Sequence, residues 1–420
     1  MAQFSKKERL IASILSATPG LKRKVKTVYT ILNSWIYRTG YSEKILSGKI
    51  SGIHIPFGQE KESFFGYYDK SPENGLGLVV AHIPSVATTN KPSKRAPIEI
   101  AIVDASGKHK IIDKSFSYAW QQGCRSQWMT DDLLIYNVFE EGFYKAKVYS
   151  IKEDYVIKTF DYPVQDSFAD NFFLSINYQR LIAVAPDYGY RNLPQLSEEE
   201  MKSVENDGIW KVDVKTGESE LLISLKDIVN CNHKNLFDEC VHIANHVMIN
   251  PSGKGFIFIH RYYQGKRKFD RLMCYDGRNL KELVAEGMVS HCCWYDEQTV
   301  FGYLRYGGKD GFYFCDVNTG MFTECSELTS LNSGDGHPTC YGSKIVVDTY
   351  PDKSRMQHLY LYDHQTKAVE ELLQVYQSVK YMYETRCDMH PRFSSNGKRI
   401  YFDSVYKGLR QLCYVDLKES

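Results

Sequence analysis

Alternating apolar and polar residues dominate the chain from about residue 55 onward. Alternation with a period of two is typical of strands with one buried face. Turn sequences rich in Gly, Asn, Asp, Ser and Pro interrupt the alternation, and each precedes a new apolar run. The seven turns are Ser71–Gly75, Thr130–Asp132, Asn177–Tyr178, Asn250–Gly253, Tyr295–Glu297, Tyr341–Ser343 and Ser395–Gly397.

The spacing of these turns indicates a repeated unit. Most successive turns lie roughly 45 to 57 residues apart, the length of one four-stranded propeller blade. One interval, of roughly 75 residues, is longer, and Glu198–Glu200 within it predicts an inserted loop or a short helix. Seven units predict an all-β fold, a seven-bladed β-propeller domain over residues 55–420. A two-sheet sandwich array is compatible with the same local pattern.

Residues 1–48 follow a different pattern, which predicts a basic amphipathic helical extension. Apolar residues recur at steps of four and three, as on one face of a helix, at Leu21, Val25, Val28, Leu32 and Trp35. Basic residues occupy the positions between them, and a similar segment at residues 6–15 precedes Pro19-Gly20. Such a helix is typical of an element that docks on an anionic membrane surface or on a partner. Packing on the outside of the β domain as a cap is the other interpretation.

Composition narrows the classes of function. The formal net charge of +1 gives no reason to expect a nucleic acid partner. The aromatic content is 14%, with 31 Tyr and 21 Phe, which favours strands, and tyrosine also suits sugar recognition. The 11 cysteines show no paired spacing, which indicates reduced thiols in a cytoplasmic protein. The sequence shows neither a signal peptide nor an apolar run long enough to cross a membrane.

Two histidines occupy matched positions in successive repeats. Asp335-Gly336-His337-Pro338 and Asp388-Met389-His390-Pro391 each precede a turn and an alternating strand that ends in Asp. His291 has the equivalent place one repeat earlier. Because equivalent positions of neighbouring blades face the central channel, we expect these side chains to converge there. Three histidines and Asp388 could hold a divalent cation such as Mn, Fe or Zn, and histidines that tie loops together are the structural alternative.

Several motifs extend this pattern. Asp348-Thr349-Tyr350-Pro351-Asp352 is followed by Arg355-Met356-Gln357, and the stretch after His390 continues to Gly408-x-Arg410-Gln411. Phe65–Lys70 and Gln121–Gly123 add to them. In these motifs the chain resembles the oligogalacturonate lyase family of seven-bladed propellers. The resemblance covers most of residues 60–418, and it is closer to a broad set of lyase-like bacterial proteins than to the pectin-degrading enzymes.

The resemblance implies roles for several residues. His291 matches the general base that removes the C5 proton of a uronate, and Arg271 corresponds to an arginine beside it. His337 and His390 match histidines that bind a metal. The metal in the family is Mn, which neutralises the substrate carboxylate so that β-elimination can follow.

The last group of ligands departs from the family pattern. The family has Gln-x-x-His-x-His, whereas Thr385 stands here at the Gln place and Asp388 at the first His place. Asp388 can bind a metal, and Glu384 adjoins the lost Gln position as a further candidate ligand. A different metal, a different glycan and the absence of a metal are all compatible with this change.

Other residues are candidates for binding an acidic sugar, because tyrosine stacks on sugar rings and arginine pairs with carboxylates. These candidates are Tyr67, Asp69, Lys70, Tyr190, Arg191, His260, Arg355 and Arg410. A packing strand at residues 64–70 and a surface turn at residues 187–191 are the structural alternatives.

Two functions are compatible with these residues. The first is a cytoplasmic lyase that cleaves a uronate-containing polysaccharide or oligosaccharide by metal-assisted β-elimination. The second is a non-catalytic glycan-binding or accessory protein of surface-polysaccharide biosynthesis, held peripherally at the inner membrane face by residues 1–48. The histidines and Arg271 favour the first function, and the basic N-terminal helix favours the second.

Overall fold

Seven antiparallel sheets follow one another along the chain in a computed structural model that describes residues 19–418. Each sheet is one blade of a propeller, so the predicted seven-bladed fold is confirmed and the sandwich array is excluded. Within each blade, strands that follow one another in the sequence pair side by side. Inner strands are buried on both faces because neighbouring blades cover them, and Phe256–Gln264 is buried at seven successive residues.

Blades 1 to 4 are built from strands between Val79 and Val284. Blade 1 contains β2 (Val79–Pro84), β3 (Ile98–Val103) and β4 (His109–Ser115). Blade 2 contains β5 (Gln127–Trp128), β6 (Leu133–Glu140), β7 (Phe143–Ser150) and β8 (Tyr155–Phe160). Blade 3 contains β9 (Asp166–Phe168), β10 (Phe172–Ser175), β11 (Gly208–Asp213) and β12 (Ser219–Ser224). Blade 4 contains β13 (Val241–Ile249), β14 (Phe256–Gln264), β15 (Arg267–Tyr275) and β16 (Leu280–Val284).

Blades 5 to 7 carry the histidines. Blade 5 contains β17 (Val289–Trp294), β18 (Thr299–Tyr306), β19 (Lys309–Asp316) and β20 (Phe322–Glu324). Blade 6 contains β21 (Thr339–Tyr341), β22 (Lys344–Asp348), β23 (Met356–Asp363) and β24 (Ala368–Tyr376), with β1 (Glu43–Ile45) on its outer edge. Blade 7 contains β25 (Arg392–Phe393), β26 (Arg399–Ser404) and β27 (Gln411–Asp416).

The N-terminal part of the chain closes the ring. β1 pairs with β24 of blade 6, with Glu43 opposite Val375. Bridges from Ile50 to Leu417 and from His54 to Tyr414 then complete the outer edge of blade 7. Residues 43–54 therefore belong to the propeller, although the sequence pattern assigned residues up to 48 to a helical extension.

In residues 19–418, helices are few and short apart from the first. They are α1 (Pro19–Ile36), α2 (Tyr178–Val184), α3 (Glu198–Lys202), α4 (Leu225–Asn230) and α5 (Ser326–Thr329), with 3-10 turns at Asn235–Glu239 and Tyr383–Thr385. α3 confirms the short helix expected in the longest repeat, and Ser197 caps it through a capping box with Glu200. The helix expected at residues 6–15 lies outside the described residues.

α1 lies at the mouth of the channel with its polar side toward the propeller. A cavity at this mouth, called the channel cavity below, is lined in part by Lys26, Tyr29 and Asn33. The apolar stripe faces away from it, and the exposed fractions of Val28, Leu32 and Trp35 are 57%, 52% and 77%. Among residues 19–418, no helix has the length and apolar character needed to cross a membrane.

Candidate functional site

Three imidazoles from successive blades meet at the centre of the ring. The ring centroids of His291 and His337 are 4.0 Å apart, and those of His337 and His390 are 4.3 Å apart. His291 lies in β17, and the other two precede β21 and β25. His390 has a φ of +48°, a conformation uncommon for a residue with a side chain, which turns the backbone just before its strand begins. The three side chains come together as the repeat pattern predicted.

His337, Asp388 and His390 form a group that fits a divalent metal. Each is buried and offers a ligand atom, and these atoms lie within 4.8 Å of one another. Within the described part of the chain, His337 Nε2, His390 Nε2 and Asp388 Oδ1 are buried without a hydrogen-bond partner. A buried polar atom without a partner is costly, and a metal ion would satisfy all three atoms at once.

The other nitrogen of each of these histidines is held by an acceptor. His337 Nδ1 lies 2.8 Å from Asp348 Oδ1, and His390 Nδ1 lies 2.8 Å from the carbonyl oxygen of Gly66. Both acceptors fix Nδ1 as the donor and leave Nε2 as the free lone pair. This is the arrangement that orients histidine ligands in metal sites.

The loop between β24 and β25, called the blade 7 loop below, carries Asp388 and also Glu384 and Thr385. Glu384 and Thr385 do not join the metal group formed by His337, Asp388 and His390. Glu384 pairs with Lys91 at 2.7 Å and with Arg191, which directs its carboxylate away from the histidines. The Thr385 hydroxyl donates to the carbonyl oxygen of Met382 at 2.9 Å. The structure therefore brings together three of the four predicted ligands, and the position of the family's Gln supplies no fourth.

His291 has the environment of a proton acceptor. Its Nδ1 lies 3.3 Å from Asp335 Oδ1 and 3.1 Å from Ser290 Oγ, so Nε2 is left as the basic nitrogen. Burial lowers the pKa of His291 and the nearby His337 lowers it further, which outweighs the opposing effect of Asp335. Burial opposes ionisation of Asp335, but the two histidines outweigh it and lower its pKa to about 2. A neutral imidazole beside a carboxylate results, as general base catalysis requires.

A fourth histidine, His246 of blade 4, was missed by the sequence analysis. Its ring stacks on Tyr67 at a centroid distance of 5.1 Å and lies 5.8 Å from His291. The Tyr67 hydroxyl shares a hydrogen bond with His246 Nδ1. Burial lowers the pKa of His246 well below its ordinary value. A signal was present, because His246 stands four residues before the turn at Asn250, as His291 and His337 do before theirs.

The segment Phe65–Lys70 forms the opposite wall of the channel. Tyr68 packs against His291, His337 and His390 at centroid distances of 5.7, 5.6 and 6.1 Å. Asp69 makes a buried, bidentate pair with Arg125, with distances of 2.9 and 2.7 Å. Lys70 pairs with Asp166. The structure thus brings Tyr67 to the site. The charges of Asp69 and Lys70 are instead neutralised by the ion pairs with Arg125 and Asp166.

Arg271 and His260 lie inside blade 4 and are not among the described residues that line the channel cavity. Arg271 donates from Nε to His260 Nδ1 at 2.9 Å and from Nη1 to Glu282 at 2.6 Å. His260 Nε2 meets His242 Nδ1 at 2.9 Å. Both side chains have their polar atoms engaged inside the blade, so the structure does not place Arg271 beside His291 as the sequence reading expected.

Of three other residues predicted to bind sugar, one lines the cavity and two are buried outside the cavity lining. Arg355 lines the cavity, and its Nε donates to the carbonyl oxygen of Gln377 at 3.0 Å. Arg410 is buried and donates to the carbonyl oxygens of Thr385 and Arg386, so it supports the loop that carries Asp388. Tyr190 stacks on Tyr178 at 4.2 Å inside the protein.

A cavity of about 1190 Å³ adjoins the metal group, and its lining includes His291 and Arg386, which contact His337 and Asp388. Eight basic and five acidic side chains line it, together with six tyrosines and the pair His246 and His291. Arg386 stands between the cavity and the metal group, and its Nε lies 2.7 Å from Asp388 Oδ2. The excess of cations and the aromatic walls suit an acidic sugar.

Solved structures with this architecture include two oligogalacturonate lyases. One, in complex with manganese, aligns with a TM-score of 0.58 and 14% identity over 90% of this chain and 98% of its own. Another, from Vibrio parahaemolyticus, aligns with a TM-score of 0.57 and 14% identity over 90% of this chain and 97% of its own. This chain has the fold of the oligogalacturonate lyases. No family model matches the sequence, and no curated protein matches it either.

Proposed function

We propose that the protein binds a uronate-containing glycan in its channel and cleaves it by metal-assisted β-elimination. The observation that carries the proposal is the buried group His337, Asp388 and His390, whose three atoms have no hydrogen-bond partner. Arg386, which contacts Asp388, lines an adjoining cavity with an excess of cations. A divalent metal on these residues would neutralise the uronate carboxylate and so make the neighbouring C5–H more acidic. The relative solved with manganese supports Mn as that metal.

The residues of the chain account for the proton transfer. His291 Nε2 takes the C5 proton, and Asp335 stabilises the imidazolium that forms. The C5–H electron pair becomes the C4=C5 double bond, the C4–O bond to the next sugar breaks, and the leaving oxygen takes a proton from solvent. Arg386, whose Nε and Nη1 are held by Asp388 and Asp187, offers its Nη2 to a carboxylate of the glycan from the cavity side. His246 is the second candidate for the base, because it lies on the same cavity and is also kept neutral.

The test is the appearance of the ultraviolet absorbance of an unsaturated uronate when oligogalacturonate and Mn²⁺ are added. His291→Ala should abolish this absorbance, and His233→Ala, which changes a partly exposed histidine outside the cavity lining, should not. Loss with His246→Ala but not with His291→Ala would assign the base to His246. An uncleaved glycan that the wild type nevertheless binds would reject the lyase reaction.

A second candidate function is a non-catalytic glycan-binding protein of surface-polysaccharide assembly at the inner face of a membrane. The exposed apolar stripe of α1 favours it, because that stripe lies beside four basic residues and no acidic one between residues 19 and 36. The free cysteines favour a reducing, cytoplasmic compartment.

Vesicle binding tests this candidate. A truncation must stop before residue 40, because residues 43–54 complete blades 6 and 7. The protein lacking residues 1–36 should lose salt-sensitive binding to anionic vesicles, and Trp35→Glu should weaken it in the full chain. Equal vesicle binding by all three proteins would reject a membrane role for α1.

A further inference from the structure

We infer that α1 is the outer wall of the ligand site and that Lys26 binds a carboxylate of the glycan. This inference rests on the proposed function in that the ligand is an acidic sugar chain. The added binding segment is α1, which precedes the first blade in the sequence and is separate from the channel histidines. α1 (Pro19–Ile36) lies at the N-terminal end of the described residues.

The orientation of α1 is the first argument. A helix that packs on a globular domain normally turns its apolar face inward. α1 does the reverse, since its apolar stripe faces away while Lys26, Tyr29, Thr30 and Asn33 line the cavity. These four residues share one helical face, because they are spaced by three, four and seven positions. A polar face turned toward a large polar cavity is suited to contacting what fills that cavity.

The chemistry of this face is the second argument. It presents an ammonium, a phenol, a hydroxyl and an amide to the cavity, which are the groups that recognise carboxylates and sugar hydroxyls. His291 and Arg386 line the same cavity. A sugar chain bound at the histidines would therefore extend toward α1, and a carboxylate on a neighbouring sugar unit would meet Lys26.

The attachment of α1 is the third argument. Thr27 Oγ1 lies 2.8 Å from the Tyr383 hydroxyl, which also contacts the carbonyl oxygen of Arg23 at 3.0 Å. The Arg23 guanidinium lies 4.4 Å from the centre of the Tyr383 ring. Tyr383 belongs to the loop that continues through Arg386 to Asp388. α1 thus rests by polar contacts on the loop that supplies a proposed metal ligand.

The test compares the binding of trigalacturonate, with Mn²⁺ present, to the full-length wild type and two variants. Lys26→Gln removes the charge on the cavity side, and Lys24→Gln removes the same charge from an exposed position of α1 outside the cavity lining. We expect Lys26→Gln to raise the Kd about tenfold and Lys24→Gln to leave it within about twofold. If trigalacturonate is cleaved, KM replaces Kd in this comparison.

Hydrogen exchange of residues 23–33 in the wild type gives a second readout that does not depend on a variant. Trigalacturonate should slow exchange in this segment if it contacts α1. Unchanged exchange, together with equal affinities for the three proteins, would overturn the inference while leaving the proposed function standing. An equal loss in both variants would also overturn it, because the effect would then be general attraction rather than contact. A wild type that does not bind trigalacturonate would reject the proposed function, and the inference with it.

Discussion

Asp348 accepts two hydrogen bonds from His337 through one oxygen, with distances of 2.7 Å to the backbone nitrogen and 2.8 Å to Nδ1. Its other oxygen lies 3.1 Å from the backbone nitrogen of His390. One carboxylate at the end of β22 therefore positions two proposed ligands from neighbouring blades. The Asp that ends the strand after the first His-Pro turn thus orients His337 and His390.

Replacing that carboxylate should weaken metal binding without removing a ligand. We expect Asp348→Asn to lower the affinity for Mn²⁺ about 10- to 100-fold, because the amide no longer holds His337 Nδ1–H as an anion does. Titration of metal-free protein with Mn²⁺ measures the change. Asp161→Asn, at a side chain that is 87% exposed, is the matched control and should bind as the wild type does. An unchanged affinity in Asp348→Asn would contradict the proposed orientation of His337.

The two carboxylates of the blade 7 loop should differ in their effect on the metal. Asp388→Asn removes an anionic ligand and should sharply reduce the Mn²⁺ content of the purified protein. Glu384→Gln should leave the metal content unchanged, because Glu384 is held by Lys91 and Arg191. Mass spectrometry of the metal, beside the His337→Ala/His390→Ala double variant, checks both. Loss of metal in Glu384→Gln would restore it as a ligand.

Metal binding should depend on pH near neutrality. Burial disfavours protonated His337, but Asp348 outweighs it and raises the pKa of His337 above its ordinary value of about 6.5. Because the metal needs the unprotonated Nε2, Mn²⁺ affinity should rise with pH through this raised pKa and fall on acidification starting above pH 6.5 or so. Titrations across this range check the direction. An affinity that stays constant until well below that value would show that His337 is not a ligand.

Arg271 should matter for stability rather than for the chemical step. Its guanidinium is buried between His260 and Glu282, so Arg271→Met leaves a carboxylate and an imidazole without their partner. We expect a loss of about 3–5 kcal/mol in the free energy of unfolding, since breaking a buried ion pair by removing one partner is costly. Denaturant unfolding measures this, and the folded fraction should keep its kcat. A stable variant that has lost kcat would instead return Arg271 to the catalytic site.

The ring was predictable because each blade repeats a turn and an alternating strand, and because repeat-equivalent positions share one axis. His337 and His390 followed from that equivalence, as did their convergence with Asp388. Glu384 did not, because the 3-10 turn Tyr383–Thr385 points neighbouring side chains in different directions, and the partners Lys91 and Arg191 come from blades 1 and 3, far away in the sequence.

Other failures have equally local causes. Arg271 lies in the third strand of its blade, too far out in the ring to belong to the channel, and the motif alone does not count strands. For α1, the apolar periodicity predicted a helix but carried no information about which face meets the propeller.

The pairing of β1 with β24 has a consequence for how the protein is made. Glu43 and Val375 are neighbours in the sheet although more than three hundred residues separate them. During synthesis the outer edges of blades 6 and 7 do not yet exist when their N-terminal partners leave the ribosome. β1 has nothing to pair with until blade 6 emerges, and Ile50 and His54 have no partner until blade 7 follows, so the nascent ring keeps open strand edges. We therefore expect ring closure to be a late and slow step of folding, because a long loop must close before these edges can pair.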